Sequence, residues 1–168
     1  MHSLTQRANT VFTFFGSVAA VLAILTSCTD LFHDAKPIIS LKLAEIKKLV
    51  PYSGSREQAV ITFDLDADLR SVFSWNSKQI FIFVRADYYS DEGKLNQVVL
   101  WDSIIQQKEK AKIKLKKHKT KYSFIGHGKD LRGRDLNLTL VWDIMPRVGA
   151  LWMSERSFGV GNLPGSYT

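Results

Sequence analysis

Ala8–Thr29 reads A-N-T-V-F-T-F-F-G-S-V-A-A-V-L-A-I-L-T-S-C-T, with Arg7 before it, Asp30 after it and no charged residue between. A helix rises about 1.5 Å per residue, and the hydrocarbon of a bilayer is about 30 Å thick, so this run is long enough to cross a membrane. A core helix of a soluble protein is the competing reading. Uninterrupted apolarity of this length beside the N-terminus argues against it. Gly16, Ser17, Ala19 and Ala20 keep part of the helix slim, and small residues let neighbouring helices approach closely in lipid. The N-terminal amine, His2 and Arg7 precede the run with no acid among them, whereas Asp30 and Asp34 follow it before Lys36. Positive charge stays cytoplasmic, which places the short N-terminus inside and everything after the run across the membrane.

Three fates of the run share that topology. It is an uncleaved anchor, or a cleaved signal with Thr26 and Cys28 as the small residues before the cut. Alternatively, Leu25-Thr26-Ser27-Cys28 is a bacterial lipobox and Cys28 becomes a lipidated N-terminus. Cys28 is the single cysteine in the chain. The remainder therefore has no disulfide and rests on its hydrophobic core, for which a domain of this length suffices.

Outward from the run the chain changes period. Residues 31–37 form a short polar stalk ending at Pro37. Ile39, Leu41 and Leu43 then alternate with polar or small residues, the period of a strand. Pro51-Tyr52-Ser53-Gly54-Ser55 reads as a turn. Val60–Ala67 alternates again, with Ile61, Phe63 and Leu65 on one face and Thr62, Asp64 and Asp66 on the other. Leu69–Trp75 reads as a one-turn helical bend. Gln79–Asp87 is apolar on both faces of Ile80-Phe81-Ile82-Phe83-Val84, which predicts a central strand covered on both sides. Gln97–Ile105 is a further strand with a bend expected at Asp102. Lys110–Lys117 is a strand with one basic face, Leu136–Met145 alternates cleanly, and Ala150–Val160 is the last strand. The tail through Pro164 is expected to be loose. Many short strands with a turn signal about every ten residues predict an antiparallel sandwich or barrel.

The formal charge of +7 sits in one segment. Lysines 108, 110, 112, 114, 116, 117, 119 and 121 stand against the single acid Glu109, and the rest of the chain is balanced. Lys110, Lys112, Lys114 and Lys116 read first as an edge strand protected from aggregation by charge. Attraction to anionic headgroups or to an acidic partner is the functional alternative. A domain beyond a membrane has no nucleic acid to meet.

No catalytic or metal site is expected. Asp64, Asp66 and Asp68 open like a calcium loop, but Leu69 and Trp75 occupy the positions that need Gly and Glu. They read as a solvated carboxylate row. His33, His118 and His127 lack ligand spacing and read as isolated surface histidines. No nucleophile elbow or phosphate loop is present, so a membrane-anchored serine hydrolase has no sequence support. Asn137-Leu138-Thr139 is an N-glycosylation acceptor for a lumenal domain, and alternation points Asn137 outward.

These residues resemble the 22/23-kilodalton subunit family of the eukaryotic signal peptidase complex over nearly the whole chain. The likeness rests on Arg7-Ala8-Asn9 before the span, Ala67-Asp68-Leu69, Phe73-Ser74-Trp75-Asn76 and Lys78-Gln79. It continues through Leu95-Asn96-Gln97-Val98-Val99-Leu100-Trp101-Asp102, Thr120-Lys121-Tyr122, Asn137-Leu138-Thr139-Leu140, Trp142 and Met145-Pro146. Met1-His2-Ser3 and Leu131-Arg132-Gly133 look closest to plant-like members. The lysine-rich segment is heavier than the family pattern.

The resemblance implies a glycosylated, single-pass type II protein of the endoplasmic reticulum membrane. Residues 1–9 would be cytosolic, 10–29 an uncleaved signal-anchor helix, and 30–168 a lumenal antiparallel β-sandwich; a lipidated Cys28 has no place in it. It also implies an accessory role without cofactor, in which a separate serine-type catalytic subunit cuts signal peptides. The partners are then that subunit, the other small membrane subunits and, indirectly, nascent chains bearing signal peptides. Trp75 and Trp101 are candidate contact aromatics, since aromatics anchor interfaces; the plainer reading of each is core.

Overall fold

The computed structural model describes residues 3–168, so Met1 and His2 of the expected 1–9 segment lie outside the described residues. The apolar run becomes one helix, α1 (Leu4–Asp30), of 27 residues and about 40 Å. Ser3 caps it by accepting the Gln6 N–H at 3.3 Å, which satisfies one orphan donor of the first turn. None of its residues is buried against the rest of the chain, and the helix is long and apolar enough to cross a membrane.

Eight strands follow among the described residues: β1 (Ile38–Tyr52), β2 (Arg56–Asp68), β3 (Ser77–Tyr89), β4 (Leu95–Ile105), β5 (Lys112–Lys119), β6 (Phe124–Ile125), β7 (Asp135–Pro146) and β8 (Trp152–Asn162). All pairings are antiparallel. The first sheet has the order β1-β2-β5, with β6 also on β2; the second has the order β4-β3-β7-β8. The expected mainly β architecture is therefore present, as two sheets facing one another. Ile61, Phe63 and Leu65 of β2 meet Ile80, Ile82 and Val84 of β3 and Leu136, Leu138 and Leu140 of β7 in one buried cluster. Each such side chain contributes about 1.5–3 kcal/mol by leaving water. A short helical turn at Arg70–Val72 carries the chain between sheets, where the bend was expected.

Four local expectations need correction. Pro51 and Tyr52 belong to β1, and the turn is Ser53-Gly54-Ser55 with Gly54 at φ +74. An edge strand tolerates a proline because its outward N–H has no partner to lose. The bend in β4 lies at Leu100, opposite the register shift between Val84 and Arg85, and not at Asp102. The C-terminal tail is tied down. Leu163 is buried and its N–H donates to Arg134 O, while the Tyr167 hydroxyl donates to Glu57 and Thr168 bonds Leu49. Finally, β3 is central but covered on one face only, since Phe81 and Phe83 are half-exposed on the outer face of the second sheet.

Candidate functional site

The anchor and the sandwich meet in a polar junction. Asp30, the last residue of α1, accepts Ser74 Oγ at 2.9 Å and Asn76 Nδ2 at 2.7 Å. Asn76 is 1% exposed and reaches across to the loop between β7 and β8. Its Nδ2 donates to Val148 O at 2.7 Å, its Oδ1 accepts the Val148 N–H at 3.2 Å, and its carbonyl accepts the Arg147 N–H at 2.7 Å. The Trp75 indole N–H donates to Thr29 Oγ1 at 3.1 Å, and His33 Nε2 donates to Ser71 O at 2.8 Å. Gly149 completes the contact. At φ +118, a Cβ there would fall 2.6 Å from Ser27 Oγ, so both conformation and space call for glycine. Hydrogen bonds to a charged carboxylate are among the stronger ones, and these two are partly shielded from water. The junction therefore fixes the sandwich relative to the helix.

From this junction the outer face of the second sheet can be read in cross-strand rows. Nearest α1 Gln79 lies beside Met145, its Nε2 3.0 Å from the sulfur; then come Ile104–Phe81–Asp143–Met153 and Asp102–Phe83–Val141–Glu155. Farther away come Val99–Arg85–Thr139–Ser157 and Gln97–Asp87–Asn137–Gly159. The Ile104–Met153 row ends in exposed apolar side chains, whereas its neighbour carries Asp102 and Glu155 around a buried Val141. Ile104 is 54% and Met153 68% exposed, and the Phe81 and Phe83 rings lie 5.6 Å apart. Within the Ile104–Met153 row Asp143 Oδ1 is enclosed yet meets no hydrogen-bond donor among the described residues. Such an atom costs about 1–3 kcal/mol unless something else supplies the donor. The far rows are closed by bonds among themselves and to Glu155 of the adjoining row: Arg85 pairs with Asp87 at 2.7 Å and Glu155 at 3.0 Å, and Thr139 Oγ1 donates to Asp87 at 2.6 Å.

The first sheet's outer face has no such gap. The carboxylate row and the lysine row of the sequence turn out to be cross-strand neighbours. Asp68 stands opposite Lys112, Asp66 opposite Lys114, and Asp64 opposite Lys42. Asp64 Oδ1 accepts the Lys117 N–H at 2.6 Å, which caps a bulge where Lys117 takes φ 44. Asp66 pairs with Lys114 at 3.6 Å. Arg70 grips Asp68 with Nε at 2.9 Å and Nη2 at 2.5 Å, and holds its pKa down to about 2. Opposite charges directly across a strand pair stabilise a sheet, and lysines on its edge deter pairing with another sheet.

The histidines do not gather. His33 and His127 are exposed and far apart in the fold, but His118 is not a free surface residue. Its ring packs edge-on against Phe63 at 5.8 Å and Trp101 at 6.1 Å. Trp101 is thereby part of the packing under β5, and the contact role suggested for it is withdrawn. Trp75 is 69% exposed but held at Thr29. Among the described residues no group of three or more His, Cys, Asp or Glu could hold a metal. Cys28 is exposed on α1. Asn137 faces outward from β7 opposite Gly159, and its partner Thr139 is engaged by Asp87. Sequence reading missed Asp30, Asn76 and Asp143. Only Asn76 carried a signal, as part of Phe73-Ser74-Trp75-Asn76.

Comparison with known proteins agrees along the whole chain. A family described as signal peptidase subunit matches residues 1–164. The chain is 40% identical over 157 residues to signal peptidase complex subunit 3 of Homo sapiens, covering 90% of this chain and 87% of that protein. The figures are the same for the Canis lupus familiaris protein. Signal peptidase complex subunit 3 of Dictyostelium discoideum is 34% identical over 167 residues, covering 99% of this chain and 97% of its own. The chain belongs to the signal peptidase subunit family.

Proposed function

We propose that this chain is a non-catalytic accessory subunit of the signal peptidase complex of the endoplasmic reticulum membrane. In this reading residues 1–9 are cytosolic, 10–29 span the membrane and 30–168 form a lumenal module. The charge step from Arg7 to Asp30 and Asp34 supports that orientation. The module docks on the complex's serine-type catalytic subunit through the row Ile104–Phe81–Asp143–Met153 and stabilises it there. That row is the observation that carries the proposal. It is an apolar face with an unsatisfied carboxylate oxygen, held at fixed height by the anchor junction. Interface cores bury such apolar and aromatic groups together with a few well-placed polar contacts. The small residues Gly16, Ser17, Ala19 and Ala20 are exposed on α1 and suit contacts with the other small membrane subunits. Signal-peptide-bearing nascent chains are met only through the complex. A glycan on Asn137 occupies the far rows and leaves the docking row clear.

Purification of the tagged full chain in mild detergent, followed by mass spectrometry, tests this. A signal peptidase recovered at equal stoichiometry is the expected result, and a clean monomer contradicts it. Hydrolysis of a signal-sequence peptide by the chain alone overturns the non-catalytic reading. Protease added outside sealed microsomes should leave the module intact. Asn137→Gln should abolish a mobility shift produced by endoglycosidase.

A further inference from the structure

The apolar surface of the sandwich is concentrated at the end where the anchor enters. The opposite end carries Ser53-Gly54-Ser55, Ser90-Asp91-Glu92-Gly93 and Gly126-His127-Gly128-Lys129-Asp130, all polar turns. The near end instead presents Leu31 at 64% exposure, Phe32 at 87%, Trp75 at 69% and Leu151 at 62%. The β7–β8 loop runs Pro146-Arg147-Val148-Gly149-Ala150-Leu151, and between Asp143 and Glu155 the chain has no acid.

The depth of this end follows from the helix. The charge-free run from Ala8 to Thr29 is about 33 Å long at 1.5 Å per residue, close to the ~30 Å of bilayer hydrocarbon. The hydrocarbon boundary therefore falls in the last turn, Thr26–Thr29. Gly149 lies against Ser27 of that turn, and the Trp75 indole bonds Thr29. The loop and the indole thus stand at the boundary itself. Asn76 bonds both Val148 and Asp30, so the loop cannot swing away from that depth. Tryptophan with one polar end favours this layer, and amphipathic segments bury their apolar side about 5–10 Å into it. Arg147, exposed at the start of the loop, meets the phosphate level.

We propose that Val148–Leu151 and Trp75 are seated in the headgroup–acyl boundary of the bilayer leaflet on the module's side, a second lipid contact that fixes the tilt of the sandwich. This rests on α1 spanning the membrane. The test uses the full chain with Cys28→Ser in phosphatidylcholine vesicles, carrying one environment-sensitive dye at Leu151→Cys, Val18→Cys or Ser53→Cys. Lipids bearing a nitroxide near the headgroup should quench Leu151→Cys several-fold more than Ser53→Cys and blue-shift its emission. A nitroxide near the chain end should quench Val18→Cys most. If Val18→Cys is quenched and Leu151→Cys behaves like Ser53→Cys, the loop contact is refuted while the span stands. If Val18→Cys is not quenched, span and loop contact fall together. A blue shift at Leu151→Cys seen in the purified complex but not in vesicles assigns the loop to a protein partner and overturns the lipid contact. Dye at Val148→Cys repeats the reading from a second position and guards against perturbation at the first.

Discussion

Two carboxylates separate the two sheets. Glu57, on β2 of the first sheet, is fully enclosed, and every polar need it has is met. Burial alone would raise its pKa. The Leu131 N–H at 2.9 Å, the Tyr167 hydroxyl at 2.9 Å and the Arg132 guanidinium at 2.8 Å more than offset that and leave it below the ordinary carboxylate value. Asp143, on β7 of the second sheet, has one enclosed oxygen with no donor among the described residues. The same contrast runs through both outer faces. The first is finished for water by an Asp–Lys ladder, whereas the second has, on the anchor's side, a row whose edges are the exposed Ile104 and Met153. A folded chain tolerates an unmet oxygen and an open apolar row where something else completes them. The completed sheet therefore serves the fold, and in the proposed reading the incomplete one serves the assembly.

Substitutions sharpen this contrast in order of size. Glu57→Ala strands the Leu131 N–H and the Tyr167 hydroxyl and should cost about 3 kcal/mol of unfolding free energy, read by denaturant titration in micelles. Ile104→Ser with Met153→Ser should leave that titration nearly unchanged, because both side chains are exposed and no charge is set against Asp143. Recovery of the other subunits should nevertheless fall at least about tenfold, or about 1.4 kcal/mol. Asp143→Ala should be neutral within about 0.5 kcal/mol, or stabilising, for the chain alone, since it removes an unmet polar atom. Loss of stability comparable to that of Glu57→Ala would erase the distinction. A double-mutant cycle on Asp66 and Lys114 should give a coupling below about 0.5 kcal/mol, as exposed pairs do.

Acid offers a further probe of the ladder. The folded pKa of Asp68 lies at about 2, below its ordinary 3.8, because Arg70 hydrogen-bonds the charged form. A depressed folded pKa gives stability that is complete above the unfolded value and is lost as pH falls through the folded one. The contribution of Asp68 should thus be flat above pH 4 and drain between about 4 and 2. Side-chain NMR titration should place its midpoint near 2, and Arg70→Gln should return it toward 3.8.

Most of the architecture was legible because burial on one face imposes period two. Val60–Ala67 and Leu136–Met145 declared their inward residues directly. Apolarity on both faces of Ile80–Val84 identified the centre of a sheet, but composition alone does not tell a second core from a surface awaiting a partner. The polar junction was not legible. Asp30 and Asn76 are 46 residues apart, and neither side chain has a local reason to be buried. The tied tail was hidden similarly, because Tyr167 meets Glu57 across 110 residues. The Asp and Lys rows were each visible, but their pairing depends on a register that includes the bulge at Lys117.

The most direct measurement places a photo-crosslinking residue in the full chain within the native complex, at Ile104 on the second sheet and separately at Lys114 on the first. Illumination should join Ile104 to the catalytic subunit in high yield and leave Lys114 without an adduct. An adduct to the catalytic subunit from Lys114, with none from Ile104, would contradict docking through the second sheet.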